Sequence, residues 1–120
     1  MATMNTVIEY VDRVKPNAYT DDAKYRWINT LEGLVSREVL NSNAPGYILP
    51  DDADTPLLVG APYEDIYVLY CAAMVDFNNR EYNHYNQSVL MFTERLEQYK
   101  AWYIQRHAPK SARNFRNVMG

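Results

Sequence analysis

Glu81-x-x-His84 is the one pairing of a carboxylate with an imidazole at helical spacing in the chain. It is half of what a helical di-iron site requires, which is a second Glu-x-x-His and two further inward carboxylates. The other half is missing: His107 has Ile104 three residues before it. Glu81 and His84 also fall off the apolar face that Tyr82 and Tyr85 begin, so no metal is expected there. The acidic run from Asp52 opens like a calcium loop, but an EF-hand needs glycine at its sixth position and glutamate at its twelfth. Those positions hold Leu57 and Tyr63. Cys71, the single cysteine, lies in the apolar run YVLYCAAMV, where burial raises a thiol's pKa and makes it inert. No G-x-S-x-G, glycine-rich phosphate loop or H-E-x-x-H occurs. The chain therefore carries no catalytic constellation and no cofactor motif, and the expectation is a protein that is not an enzyme.

The eleven tyrosines raise a different chemistry, stacking on bases. Stacking platforms need aromatics on an exposed basic surface, whereas most tyrosines here recur at helix-face spacing. Buried tyrosines keep a hydroxyl that needs a partner, which favours seams where one end stays wet or meets another chain.

Residues 7–14 place Val7, Ile8, Val11 and Val14 on one helical face, and Pro16 ends it. Thr20 is a helix N-cap, followed by Asp21 and Asp22 at the positive end of the dipole. Tyr25, Ile28, Leu31, Val35 and Val39 then form a stripe, and Gly33 within it suggests close approach to another backbone. Residues 41–63 hold four of the six prolines and two of the four glycines, which excludes a continuous helix. Tyr47, Ile48 and Leu49, then Leu57, Leu58 and Val59, are short apolar runs across a polar turn. They predict either a small β-hairpin or an extended loop, in both cases an arm suited to gripping a neighbour.

From Pro62, expected in the first turn of a helix, Tyr63, Tyr67, Tyr70, Met74 and Phe77 step by 4, 3, 4 and 3. A second series, Tyr82, Tyr85, Val89, Phe92, Leu96, Tyr99 and Tyr103, steps without error but in another phase. The register breaks at NNRE, where Asn78-x-x-Glu81 has the form of a capping box. The spacing predicts two antiparallel helices, 62–77 and 80–106, with one long stuttered helix as the rival. The fold expected is all-α: a small helical bundle with a long C-terminal helical hairpin and an irregular or β-hairpin arm in the centre. One helical domain spans 1–108, with its arm at 42–61, and 109–120 form a basic tail.

A 48% hydrophobic content in 120 residues supports one modest core. A formal charge of −3 argues against a dedicated nucleic-acid binder. No run approaches the roughly 18 apolar residues that cross a bilayer, and the first residues lack the apolar core of a signal peptide. A chain made in a cytoplasm, with no membrane partner, is expected. Its charge is uneven: residues 51–76 carry six acids and no Lys or Arg, whereas Arg106, Lys110, Arg113 and Arg116 stand in an acid-free end. Such a chain could pair head to tail with copies of itself.

The block AYTDDAKYRWINTLEGLVSREVL, a Pro/Asp linker, and APYEDIYVLYCAAMVDFNNREYNHYNQSVLMFTERLEQYKAWYIQRHAP together cover residues 17 to 109. They resemble the small helical head–tail connector (adaptor or head-completion) proteins of tailed phages and prophages. The resemblance rests on helical and aromatic patterns. It implies a virion structural protein made in the bacterial host and placed at the head–tail junction. It implies a ring, often of twelve copies, that sits on the portal protein, extends the DNA channel without sequence specificity and docks the next tail or stopper protein. No catalytic residues come with it. Ring contacts are expected from Tyr47, Ile48, Leu49, Leu57, Leu58 and Val59 in the arm, and from Arg106, Lys110, Arg113 and Arg116. The alternative is a small helical adaptor or regulator that binds nucleic acid through its basic C-terminal tail.

Overall fold

The computed structural model describes residues 2–107. Among the described residues four α-helices follow one another: α1 (Met4–Val14), α2 (Asp21–Val35), α3 (Asp65–Asn78) and α4 (Tyr82–His107), and α2 runs on into a π-helical turn, Ser36–Leu40. The described residues contain no strand, so the protein is all-α. No described helix is long and apolar enough to cross a membrane.

Local chemistry accounts for most boundaries. The Thr3 hydroxyl accepts from the Thr6 amide while the Thr6 hydroxyl accepts from the Thr3 amide, closing a capping box on α1. Thr20 caps α2 as its sequence predicts, accepting from the Ala23 amide at 3.3 Å. At the far end of α2, Ser36 Oγ donates to the Glu32 carbonyl at 2.8 Å, and Asn41 in the left-handed region (φ 54°) stops the chain.

Of the two forms expected of the arm, irregular or β-hairpin, the described residues show the irregular one, a chain of turns. Three expectations are corrected. The helix expected from Pro62 starts at Asp65: the amides of Tyr63 and Ile66 bond three residues back, to Gly60 and Tyr63, so a tight turn precedes the regular ladder. The capping box at Asn78 does not form, because Asn78 closes α3 and its side-chain amide donates back to the Met74 carbonyl at 2.8 Å. Arg80 then turns the chain with φ 59°, and the Glu81 amide bonds the Asp76 carbonyl at 2.9 Å. Gly33, finally, approaches no other backbone: a Cβ built there meets nothing within 4 Å.

That last correction carries a prediction. Gly33 sits inside α2 with open space beside it, so only the entropy of the unfolded chain and the lost helix propensity remain at this position. Gly33→Ala is expected to stabilise the fold by about 0.5–1 kcal/mol. An upward shift of the urea midpoint at unchanged m-value checks it; a loss of stability would mean that the π-helical turn needs the glycine.

Core packing centres on α3, the common partner of α1, α2 and α4. Its sequence is apolar nearly all round, as expected of a helix enclosed on several sides, and it buries Ile66, Tyr67, Cys71, Ala73 and Val75. Met4, Val7, Ile8 and Val11 of α1 and Ile28, Leu31 and Val35 of α2 close on it; each such side chain contributes about 1.5–3 kcal/mol of burial. The whole measures 54 × 35 × 20 Å with a radius of gyration of 16.1 Å, against about 13 Å for a compact chain of about 100 residues. It is a slab about two helix diameters thick.

Candidate assembly surface

α4 forms one edge of the slab. With 26 residues it runs ~39 Å, against ~21 Å for the 14 residues of α3. The two helices are antiparallel, as ring contacts show in order: Phe77 with Tyr85 at 5.2 Å, Tyr70 with Phe92 at 5.3 Å, and Tyr63 with Tyr99 at 5.7 Å. The seam read from the sequence therefore faces α3 of the same chain. It is closed only in part: Leu96 and Tyr99 are the buried residues of α4, whereas Tyr82 at its start is 55% exposed. Beyond Tyr99 the helix continues through Trp102, stacked on Tyr99 at 6.0 Å, to Tyr103 and His107, whose rings stack at 4.0 Å. Arg95 fastens the middle: its guanidinium lies 4.6 Å from the Tyr63 ring centre, its Nε 3.0 Å from Asp65 and a terminal nitrogen 2.9 Å from the Pro62 carbonyl.

On the opposite face of α4, Leu90 and Ile104 are 60% and 53% exposed. They stand fourteen residues apart, two full heptads, and so lie on one row, with Glu94, Glu97 and Ala101 between them. Met91, beside that row, is 56% exposed.

The residues expected at the interface separate into four groups. Leu57 and Val59 are buried in the chain's own core, and Tyr47 and Leu49 pack half-buried against it. Ile48, 68% exposed, and Leu58, 38% exposed, point outward. Arg106 lies on α4 with its guanidinium 5.1 Å from the Trp102 ring centre. Lys110, Arg113 and Arg116 lie outside the described residues.

The inward placement of the arm has a centre that sequence reading missed. Glu32, 0% exposed, accepts from the Tyr47 hydroxyl at 2.9 Å, from the Leu58 amide at 2.9 Å and from the Tyr67 hydroxyl. Tyr67 in turn accepts from the Val59 amide at 2.9 Å. Burial first, and the Glu32 carboxylate second, hold both tyrosine hydroxyls above their ordinary pKa, so both remain donors. A second tie joins the loop to α1: the Leu57 amide bonds the Ala2 carbonyl at 2.9 Å, and Asn5 Nδ2 bonds Asp54 at 2.8 Å. The one trace of Glu32 in the sequence is its place four residues after Ile28 and three before Val35, on the buried face of α2.

Two further buried charges are paired. Lys24 Nζ meets Asp12 at 2.6 Å, and Asp76 takes Lys15 Nζ at 2.5 Å and Ser88 Oγ at 2.9 Å. Asp76, Glu81 and His84 each bring one possible ligand atom within 4.8 Å of the others. Asp76 is already committed to an ammonium and a hydroxyl there, and a cation would share the place with Lys15. The trio reads as a polar fastening of the α3–α4 turn. Cys71 is fully buried, and burial pushes its thiol up to about 12, out of the range of a nucleophile at neutral pH. No family model matches the chain, and neither a curated protein nor a solved structure matches it.

Proposed function

We propose that the chain is a structural subunit that works by assembling, in the manner of the phage head–tail connectors its sequence resembles. In this reading copies form a ring on a portal protein at the head–tail junction, prolong the DNA channel and present a surface for the next tail component. The observation that supports it is α4: a helix nearly twice as long as its partner α3, with Leu90, Met91 and Ile104 outward on a slab 20 Å thick. A thin slab covers little of its own surface and gains most from lateral neighbours, and an outward row of Leu and Ile with Met beside it is what such a neighbour would cover. The finer arrangement, a bundle closed by a C-terminal helical hairpin, belongs to the same proposal: α4 would be the wall between neighbouring subunits.

Native mass spectrometry of the chain alone and mixed with its cognate portal protein tests the reading. Rings of defined copy number, alone or on the portal, are expected. Leu90→Glu and Ile104→Glu are expected to lower ring occupancy at least tenfold while far-UV circular dichroism and unfolding midpoint stay unchanged, since both sites are exposed. A chain that remains monomeric alone and with portal protein overturns the reading.

A further inference from the structure

Between α1 and α3 lies an open groove of about 490 Å³, lined by Val7, Tyr10, Val68 and Leu69 together with Glu64 and Asp65. The cations beside it are engaged. Arg95 binds Asp65 at 3.0 Å, and Arg13, over the Tyr10 ring, lies 4.0 Å from Glu9. None of the ion pairs among the described residues includes Glu64. The groove therefore fits an apolar side chain that brings a cation with it. Two such grooves face to face would set Glu64 and Asp65 against their own copies, like charge on like.

One place on the chain's own surface has the complementary chemistry. Of the large apolar side chains exposed among the described residues, Ile104 alone has a cation and no acid within four positions on either side. Lys100 and Arg106 flank it, and the last acid before it is Glu97. Ile104, Gln105, Arg106 and His107 form the exposed last turn of α4. That turn is held in place by Trp102, 5.6 Å from the Tyr63 ring, and by Tyr103, 6.2 Å from the Tyr99 ring. Ile104 points away from α3, on the far side of α4. The helix so fixed cannot bring it to the groove of its own chain, and only another copy can present it there.

We infer that the last turn of α4 in one copy docks in the α1–α3 groove of the next, with Ile104 on Val68 and Leu69 and Arg106 against Glu64. The two surfaces differ, so the contact is heterologous. Each copy offers both halves, and a succession of copies closes into a ring where the rotation permits. This contact rests on the assembly reading above and names the surfaces that would meet within it.

Paired cysteines on the full chain test it. One sample carries Gln105→Cys, the other Leu69→Cys, and buried Cys71 stays unreactive. The mixture is oxidised with and without the cognate portal protein, while native mass spectrometry counts the copies. It is expected to link on the order of tenfold more chain than either variant oxidised by itself. Arg106→Glu and Glu64→Lys, each placed in both partners, are expected to lower the linked fraction roughly threefold, the scale of an exposed ion pair. Both reversals together are expected to restore it. Rings that form without the link overturn the contact and leave the assembly reading standing. Linked copies that stop at a closed pair keep the contact and overturn the ring. A chain that stays monomeric and unlinked in both conditions overturns the two together. Linkage indifferent to either charge reversal overturns the pairing of Arg106 with Glu64.

Discussion

Glu32→Ala is expected to destabilise the fold by about 3–5 kcal/mol, a large fraction of the 5–15 kcal/mol that holds a domain of this size together. The magnitude follows from what the substitution leaves behind. Three donors converge on this carboxylate, from Tyr47, the Leu58 amide and Tyr67, and hydrogen bonds to a charged group contribute about 1.5–3 kcal/mol each. An alanine orphans all three and opens a polar cavity beside fully buried Tyr67. The loss is also topological, because Glu32 is what joins the loop at Leu58 to α2 and α3. Glu32→Gln keeps the volume and one carbonyl oxygen and is expected to cost less than half as much. Urea unfolding gives both values, and hydrogen exchange gives the location: the Leu58 and Val59 amides should lose protection before the α3 amides do. A cost under 1 kcal/mol for the alanine variant would show that water replaces the carboxylate and that the loop is held elsewhere.

The same residue marks where the sequence stopped being readable. The apolar faces of α1 and α2, the Thr20 cap and the break between α3 and α4 follow from spacing, because periodic burial leaves a periodic trace. Glu32 sits in that trace, in phase with Ile28 and Val35, yet a charged residue in an apolar stripe looks like solvent until its donors are known. Those donors come from 15, 26 and 35 residues away, and no local rule supplies them. The loop failed for the same reason. Its apolar runs were legible as apolar, but whether Leu57 and Val59 face a neighbour or their own core is decided by Glu32 and by the tie to Ala2. On α4 the inward seam was legible. The outward row of Leu90 and Ile104 was not, since two apolar residues among polar ones carry no period of their own.

Alkaline pH is expected to unfold the protein, and the cause is the enclosure of its tyrosines and its thiol. Burial raises the pKa of Tyr67, Tyr47 and Cys71, with the Glu32 charge adding to the effect on the two tyrosines. Burial moves Tyr25, Tyr70 and Tyr99 in the same direction. A raised native pKa means that the folded chain keeps protons that the unfolded chain gives up. The stabilisation is complete below the unfolded values, near 8.5 for a thiol and 10 for a phenol, and is lost as pH climbs from there toward the native values. Each such group removes about 1.4 kcal/mol per pH unit in that window, so Tyr67, Tyr47 and Cys71 together remove about 4 kcal/mol per unit above pH 10. A domain of ordinary stability would unfold by about pH 12. Urea titrations at pH 8, 10 and 11 should therefore show a modest fall first, from the thiol alone, and then a steep one, with tyrosinate absorbance rising as helical circular dichroism is lost. Tyr47→Phe removes one titrating hydroxyl and should make the fall shallower by about 1.4 kcal/mol per unit, at the cost of one hydrogen bond at neutral pH. Stability that stays level through pH 11 would mean that these phenols ionise in place, and that the pocket around Glu32 admits water.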